Sequence, residues 1–117
     1  MASDVDVIED EDEEWQLMLA EFNQHFWMTR APAFAQAWAA CSPLAPELWG
    51  EELKRSVHGL AGVAALVGQG DLGDLARQIE RCWDHEGANP QLRADLQRLA
   101  DRLAAARQDQ MAHDEND

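Results

Sequence analysis

The residues best suited to chemistry lie in the run Lys54-Arg55-Ser56-Val57-His58-Gly59-Leu60-Ala61-Gly62. Around it, Leu53, Val57, Leu60, Ala64 and Val67 recur at spacings of four, three, four and three, which is the apolar stripe of an amphipathic helix. At about 100° per residue that stripe clusters near one angle, and His58 falls roughly 140° away from Leu53. The periodicity therefore predicts a histidine facing solvent. An imidazole has an ordinary pKa of about 6.5, so near neutral pH it is an uncharged nucleophile. Gly59 and Gly62 sit inside the same helix, each at a cost of about 1 kcal/mol relative to alanine. Small residues beside an outward imidazole leave it open and let another protein's backbone approach. Lys54 and Arg55 place two of nine basic residues next to it, a local positive spot that suits an anion arriving at the histidine.

The whole chain has the opposite sign. It has 117 residues with 23 Asp and Glu, nine Lys and Arg, and a formal charge of −14. Such a surface repels phosphate backbones and anionic headgroups, so neither nucleic acid nor membrane is an expected partner. No apolar run approaches the roughly 20 residues of a membrane span, and the first residues are acidic where a signal peptide carries positive charge. Two cysteines, Cys41 and Cys82, make neither a disulfide framework nor a four-cysteine zinc site. The length is that of one domain, and 46% apolar residues are enough for a core. The expected setting is cytoplasmic.

The elements that must position His58 are all helical in pattern. Residues 1–12 read as an acidic, disordered arm, residues 13–107 as a bundle of helices, and residues 108–117 as a polar tail. The first long helix carries Trp15, Met18, Leu19, Phe22 and Phe26 as a stripe, is interrupted at Pro32, and resumes with Phe34, Ala37, Trp38 and Cys41. The stretch from Pro43 to Lys54 has no clear period. Beyond a turn at Gly68–Asp71, with Asp71 as the expected N-cap, come Leu72, Leu75, Ala76, Ile79, Cys82 and Trp83. Asn89-Pro90 opens the last helix, with Leu92, Leu96, Leu99 and Leu103. Amphipathic stripes joined by short loops predict an all-α, antiparallel up-down four-helix bundle.

The spacing His58, Leu60, Gly62, Gly68, Leu72 resembles the signature of histidine phosphotransfer (HPt) domains, His-x-Leu-Lys-Gly with a second glycine ten residues after the histidine. The resemblance covers roughly residues 13–107, including the proline-interrupted helix and Leu-Ala-Arg-Gln-Ile-Glu at 75–80. It implies a bundle with the phosphoacceptor histidine midway along one helix. His58 would accept a phosphoryl group from, and return it to, receiver-domain aspartates in a two-component phosphorelay. The chain would be a monomeric phosphocarrier without kinase activity, with response-regulator receiver domains and a histidine kinase, hybrid or not, as its partners. It would hold no metal or other cofactor, Mg²⁺ being supplied by the receiver. The sequence departs from the pattern at Ala61, where the family usually carries lysine. Lys54, on the same face one turn earlier, or Arg55 would then take over beside the phosphoryl group, with Ala61 and Gly62 around it. Gly59, Ala61, Gly62, Ala65 and Leu66 would form the docking surface.

Plainer roles stand beside these. A helical adaptor that binds a signalling partner through a groove, without being phosphorylated, accounts for the acidity, the missing lysine and the tryptophans, and not for glycines around an outward histidine. His25 reads as a boundary side chain, His85 as a helix-end charge suited to the dipole, and His113 as part of the tail. Cys41 and Cys82 fall on apolar stripes as small buried groups. Among five tryptophans, Trp15, Trp38 and Trp83 are expected in the core, and Trp27 and Trp49 at the surface.

Overall fold

The computed structural model describes the backbone of residues 2–116 and the side chains of residues 13–110. Helix α1 spans Ala2–His25, and a π-helical turn, Phe26–Arg30, leads directly into α2, Ala31–Cys41. A 3₁₀ turn at Pro46–Leu48 precedes α3, Glu51–Val63, and a second one, Ala64–Val67, precedes α4, Gly70–Glu86. Helix α5, Pro90–Asn116, ends the described chain, which contains no strand. Helix α2 packs on α3, α3 on α4, α4 on α5, and α5 closes back on α2. This is the expected all-α four-helix bundle, with α1, the π turn and α2 as one continuous first member. Helix assignment runs through residues the sequence reading set apart as arm and tail. The side chains of 1–12 and 111–117, His113 among them, lie outside the described residues.

Pro32 does not break the first helix. Its ring removes an N–H and crowds the carbonyl four residues back, at Met28. The chain absorbs this one turn earlier by widening to π geometry, with the Ala31 N–H bonding the Phe26 carbonyl and both flanking residues still right-handed helical.

The core is built from Phe26, Phe34, Leu53, Val57, Leu60, Ile79, Leu92, Leu96 and Leu99, all essentially inaccessible to water. The tryptophans divide differently from expectation. Trp27 and Trp49 are buried with Trp38, Trp83 is half-buried against the core, and Trp15 is 56% exposed. Each buried indole has its N–H satisfied, Trp27 by Asn23 Oδ1 at 3.1 Å, Trp38 by Gln97 Oε1 at 3.0 Å and Trp49 by the Cys41 carbonyl at 3.0 Å. Trp49 also sits edge-on to Trp38 and Trp83, and the Arg93 guanidinium covers it at 5.2 Å while bonding the Ser42 carbonyl. That cluster orders the stretch the periodicity could not assign. Along α1, Met18 and Phe22 are exposed like Trp15, and of that stripe only Phe26, at the start of the π turn, is fully buried. Their stripe lies on a helix whose main contact with the bundle, beyond the π turn that follows it, is with the 3₁₀ turn at Ala64–Val67.

Two termini follow local chemistry. Asn89 caps α5 by accepting the Leu92 N–H at 2.8 Å, with Pro90 in the first turn. Asp71 is not the cap of α4; the helix begins at Gly70, and Asp71 lies in its first turn, where a carboxylate still complements the dipole. Gly68 adopts φ +79°, closing the 3₁₀ turn in a conformation that disfavours any side chain. Two stability effects are expected in denaturant titrations. Leu60→Ala should cost about 2–5 kcal/mol through the cavity it leaves, and Asn89→Ala about 1 kcal/mol through the lost cap.

Candidate functional site

Helix α3 starts from Gly50 in extended conformation, and Glu51 and Glu52 in its first turn complement the N-terminal dipole. Because Leu53, Val57, Leu60 and Ala64 are drawn into the core, the rest of the helix's rotation is fixed. His58 is carried to the outer face, where its side chain is 78% exposed, as the wheel predicts.

Its surroundings come from α4, which runs antiparallel to α3 at close range. Gly73 is buried against Ala64, close enough that a Cβ at position 73 would lie 3.3 Å from the Ala64 Cβ. From that contact the two helices pair rung by rung: Ala61 with Arg77, His58 with Glu80, and Lys54 with Asp84. Arg77 Nη2 donates to the Ala61 carbonyl at 3.4 Å. His58 Nδ1 lies 2.8 Å from Glu80 Oε2. The Lys54 ammonium meets Asp84 at 2.6 Å and stands 5.9 Å from the Trp83 ring centre. The hydrogen bond from Lys54 holds the Asp84 carboxyl below its ordinary value, and the same bond raises the Lys54 ammonium above its own. That pair is therefore ionised throughout the neutral range.

An ionised carboxylate only accepts, so a bond to Glu80 requires a proton on Nδ1, in the neutral ring or in the imidazolium. In the neutral ring with that proton, the lone pair falls on Nε2, in an exposed side chain.

The other expected site residues fall in several places. Gly62, Ala65 and Leu66 are exposed beside His58, and a Cβ at Gly62 would meet nothing within 4 Å. Ala61 is not part of an open surface: it is 4% exposed, because it faces α4 and Arg77 lies across its carbonyl. Lys54 is committed to Asp84. Arg55 turns to the opposite flank, where with Arg30, Gln36 and Ser56 it lines a cleft of about 460 Å³ between α2 and α3. Gly59 is explained by Arg30, whose Nη1 would lie 2.9 Å from a Cβ at that position. The glycine thus gives the arginine from the π turn a path across α3.

Sequence reasoning missed Glu80, Arg77 and Arg30. A signal for two of them existed: Gly73, Arg77, Glu80 and Asp84 recur at four, three and four, a second stripe alongside the apolar one. No period flags Arg30. His25 is exposed at the end of α1 and not at a boundary, His85 lies exposed in the last turn of α4, and Cys41 and Cys82 are half-buried free thiols. Among the described residues no cluster of three potential metal ligands occurs, and no helix is long and apolar enough to cross a membrane.

Comparison with known protein families matches residues 27–109 to the Hpt domain. Neither curated proteins nor solved structures gave a match. Hpt domains are phosphocarriers of phosphorelays, not kinases, and they interact with receiver domains and histidine kinases. The matched stretch is well over half of the chain and takes in the whole of α2, α3 and α4 together with most of α5. The chain belongs to the Hpt domain family.

Proposed function

We propose that His58 is the phosphoacceptor of this domain and exchanges its phosphoryl group with receiver-domain aspartates. The observation that carries this reading is the pairing of a 78% exposed imidazole with a carboxylate at Nδ1 only, 2.8 Å away. Nε2 attacks the phosphorus of an aspartyl phosphate in line. The N–P bond forms as the P–O bond to the aspartate breaks, and the aspartate leaves as a carboxylate. The imidazole becomes cationic and keeps its proton on Nδ1, where Glu80 offsets the new charge. The return transfer follows the same path. The receiver supplies Mg²⁺ and its own acidic pocket; this chain presents the ring.

Docking is assigned to the exposed small and apolar surface around the histidine. Gly62 permits close backbone approach, and Ala65 and Leu66 extend the contact toward α1, where Phe22 and Met18 are also exposed. The setting proposed is the cytoplasm, where phosphorelay partners reside.

The test incubates the protein with a phosphorylated receiver domain and Mg²⁺ and assays acid-labile, base-stable phosphate. Wild type should label and His58→Gln should not. Label persisting on H58Q would contradict the assignment. Glu80→Ala should still label, but more slowly. Losing a hydrogen bond worth about 1 kcal/mol corresponds to roughly a fivefold lower rate. Glu80→Gln, whose amide oxygen still accepts from Nδ1, should stay closer to wild type in the same assay.

A further inference from the structure

Phosphorylating His58 would add negative charge beside the Glu80 carboxylate, on a molecule already at −14. A cation is needed close by, and the described basic residues near the histidine differ in their freedom to provide it. Lys54 is held by Asp84 at 2.6 Å. Arg30 and Arg55 line the cleft toward α2, across α3 from Glu80. Arg81 lines a shallow depression with Arg77, Glu80 and Asp84, but among the described residues no hydrogen bond or ion pair joins it to α3.

Arg77 differs from all of these. It stands three residues before Glu80 on α4, while Ala61, whose carbonyl it meets, stands three residues after His58 on α3. The two pairs are thus adjacent rungs, separated by about 4.5 Å along the helix axes. Its contacts are long, 3.4 Å to the Ala61 carbonyl and 3.7 Å to Asp74, and its side chain is 56% exposed, so little holds the guanidinium where it rests. The methyl group of Ala61 leaves it a path across α3 that a longer side chain would occupy. A planar guanidinium presents two parallel donors to phosphoryl oxygens.

Building on the phosphotransfer reading of His58, we propose that Arg77 is the residue that contacts and neutralises the phosphoryl group there, its charge delivered from α4 and not from α3. The alanine at position 61 and the arginine at 77 then form one device.

The experiment uses phosphoramidate, which brings no receiver side chains to mask the effect. His58 Nε2 forms the N–P bond as the P–N bond of phosphoramidate breaks and ammonia leaves. The second-order rate of labelling is measured on the full chain for wild type, Arg77→Ala, Arg77→Lys and Arg81→Ala, with thermal melts to confirm equal folding. R77A should fall roughly tenfold, R77K should recover most of that loss, and R81A, with the same change in net charge, should stay within about twofold of wild type. Equal rates for R77A and R81A on a wild type that labels normally would overturn this assignment alone. A wild type that takes no label from either phosphoramidate or a phosphorylated receiver would overturn the phosphotransfer reading, and this assignment with it.

Discussion

The close antiparallel approach of α3 and α4 governs everything at the site. It is made possible by small side chains at Ala61, Ala64 and Gly73, where the helices meet with a methyl group or less between their backbones. Larger residues there would hold the axes apart. The 2.8 Å contact between His58 and Glu80 would then open. The rungs on either side, Arg77 over Ala61 and Lys54 on Asp84, depend on the same approach. The core contributes by fixing rotation: burying Leu53, Val57 and Leu60 leaves His58 no inward alternative.

Charge is distributed along this pair of helices with evident division of labour. The nine basic residues are too few to neutralise 23 acids, so where they stand matters more than how many there are. Lys54 and Asp84 form an exposed ion pair whose contribution to stability is small. Its effect is on the site, because it occupies the Lys54 ammonium with Asp84 while leaving it within reach of the Glu80 charge. Arg30 and Arg55 gather on the other flank of α3, in a cleft that Gly59 allows Arg30 to enter. The imidazole therefore stands beside one carboxylate, with the positive groups held at separate contacts on either side of it.

Much of this was legible in the amino-acid pattern. The helical periods of α3, α4 and α5, the outward direction of His58 and the Asn89 cap follow from local rules that act within one turn. What escaped was decided by contacts between distant segments. Trp49 reads as a loop residue, yet it is buried because Trp38, Trp83 and Arg93 converge on it. Trp15 carries the same apolar signal as Phe26 and remains exposed. Pro32 signals an interruption, but the wheel cannot say that a π turn will absorb it upstream. Lys54 was legible as a neighbour of His58, and not as the partner of Asp84, because spacing along one helix says nothing of what the next helix presents. Glu80 was missed for the same reason.

The central claim is that Glu80 holds the proton on Nδ1 of His58, leaving Nε2 to carry the phosphoryl group. Long-range ¹H–¹⁵N correlation on histidine-labelled protein tests it directly, before and after phosphorylation. The account predicts the Nδ1–H tautomer in the free protein and phosphorus on Nε2 of His58 alone after labelling. Phosphorus on Nδ1, or on a histidine other than His58, would contradict it.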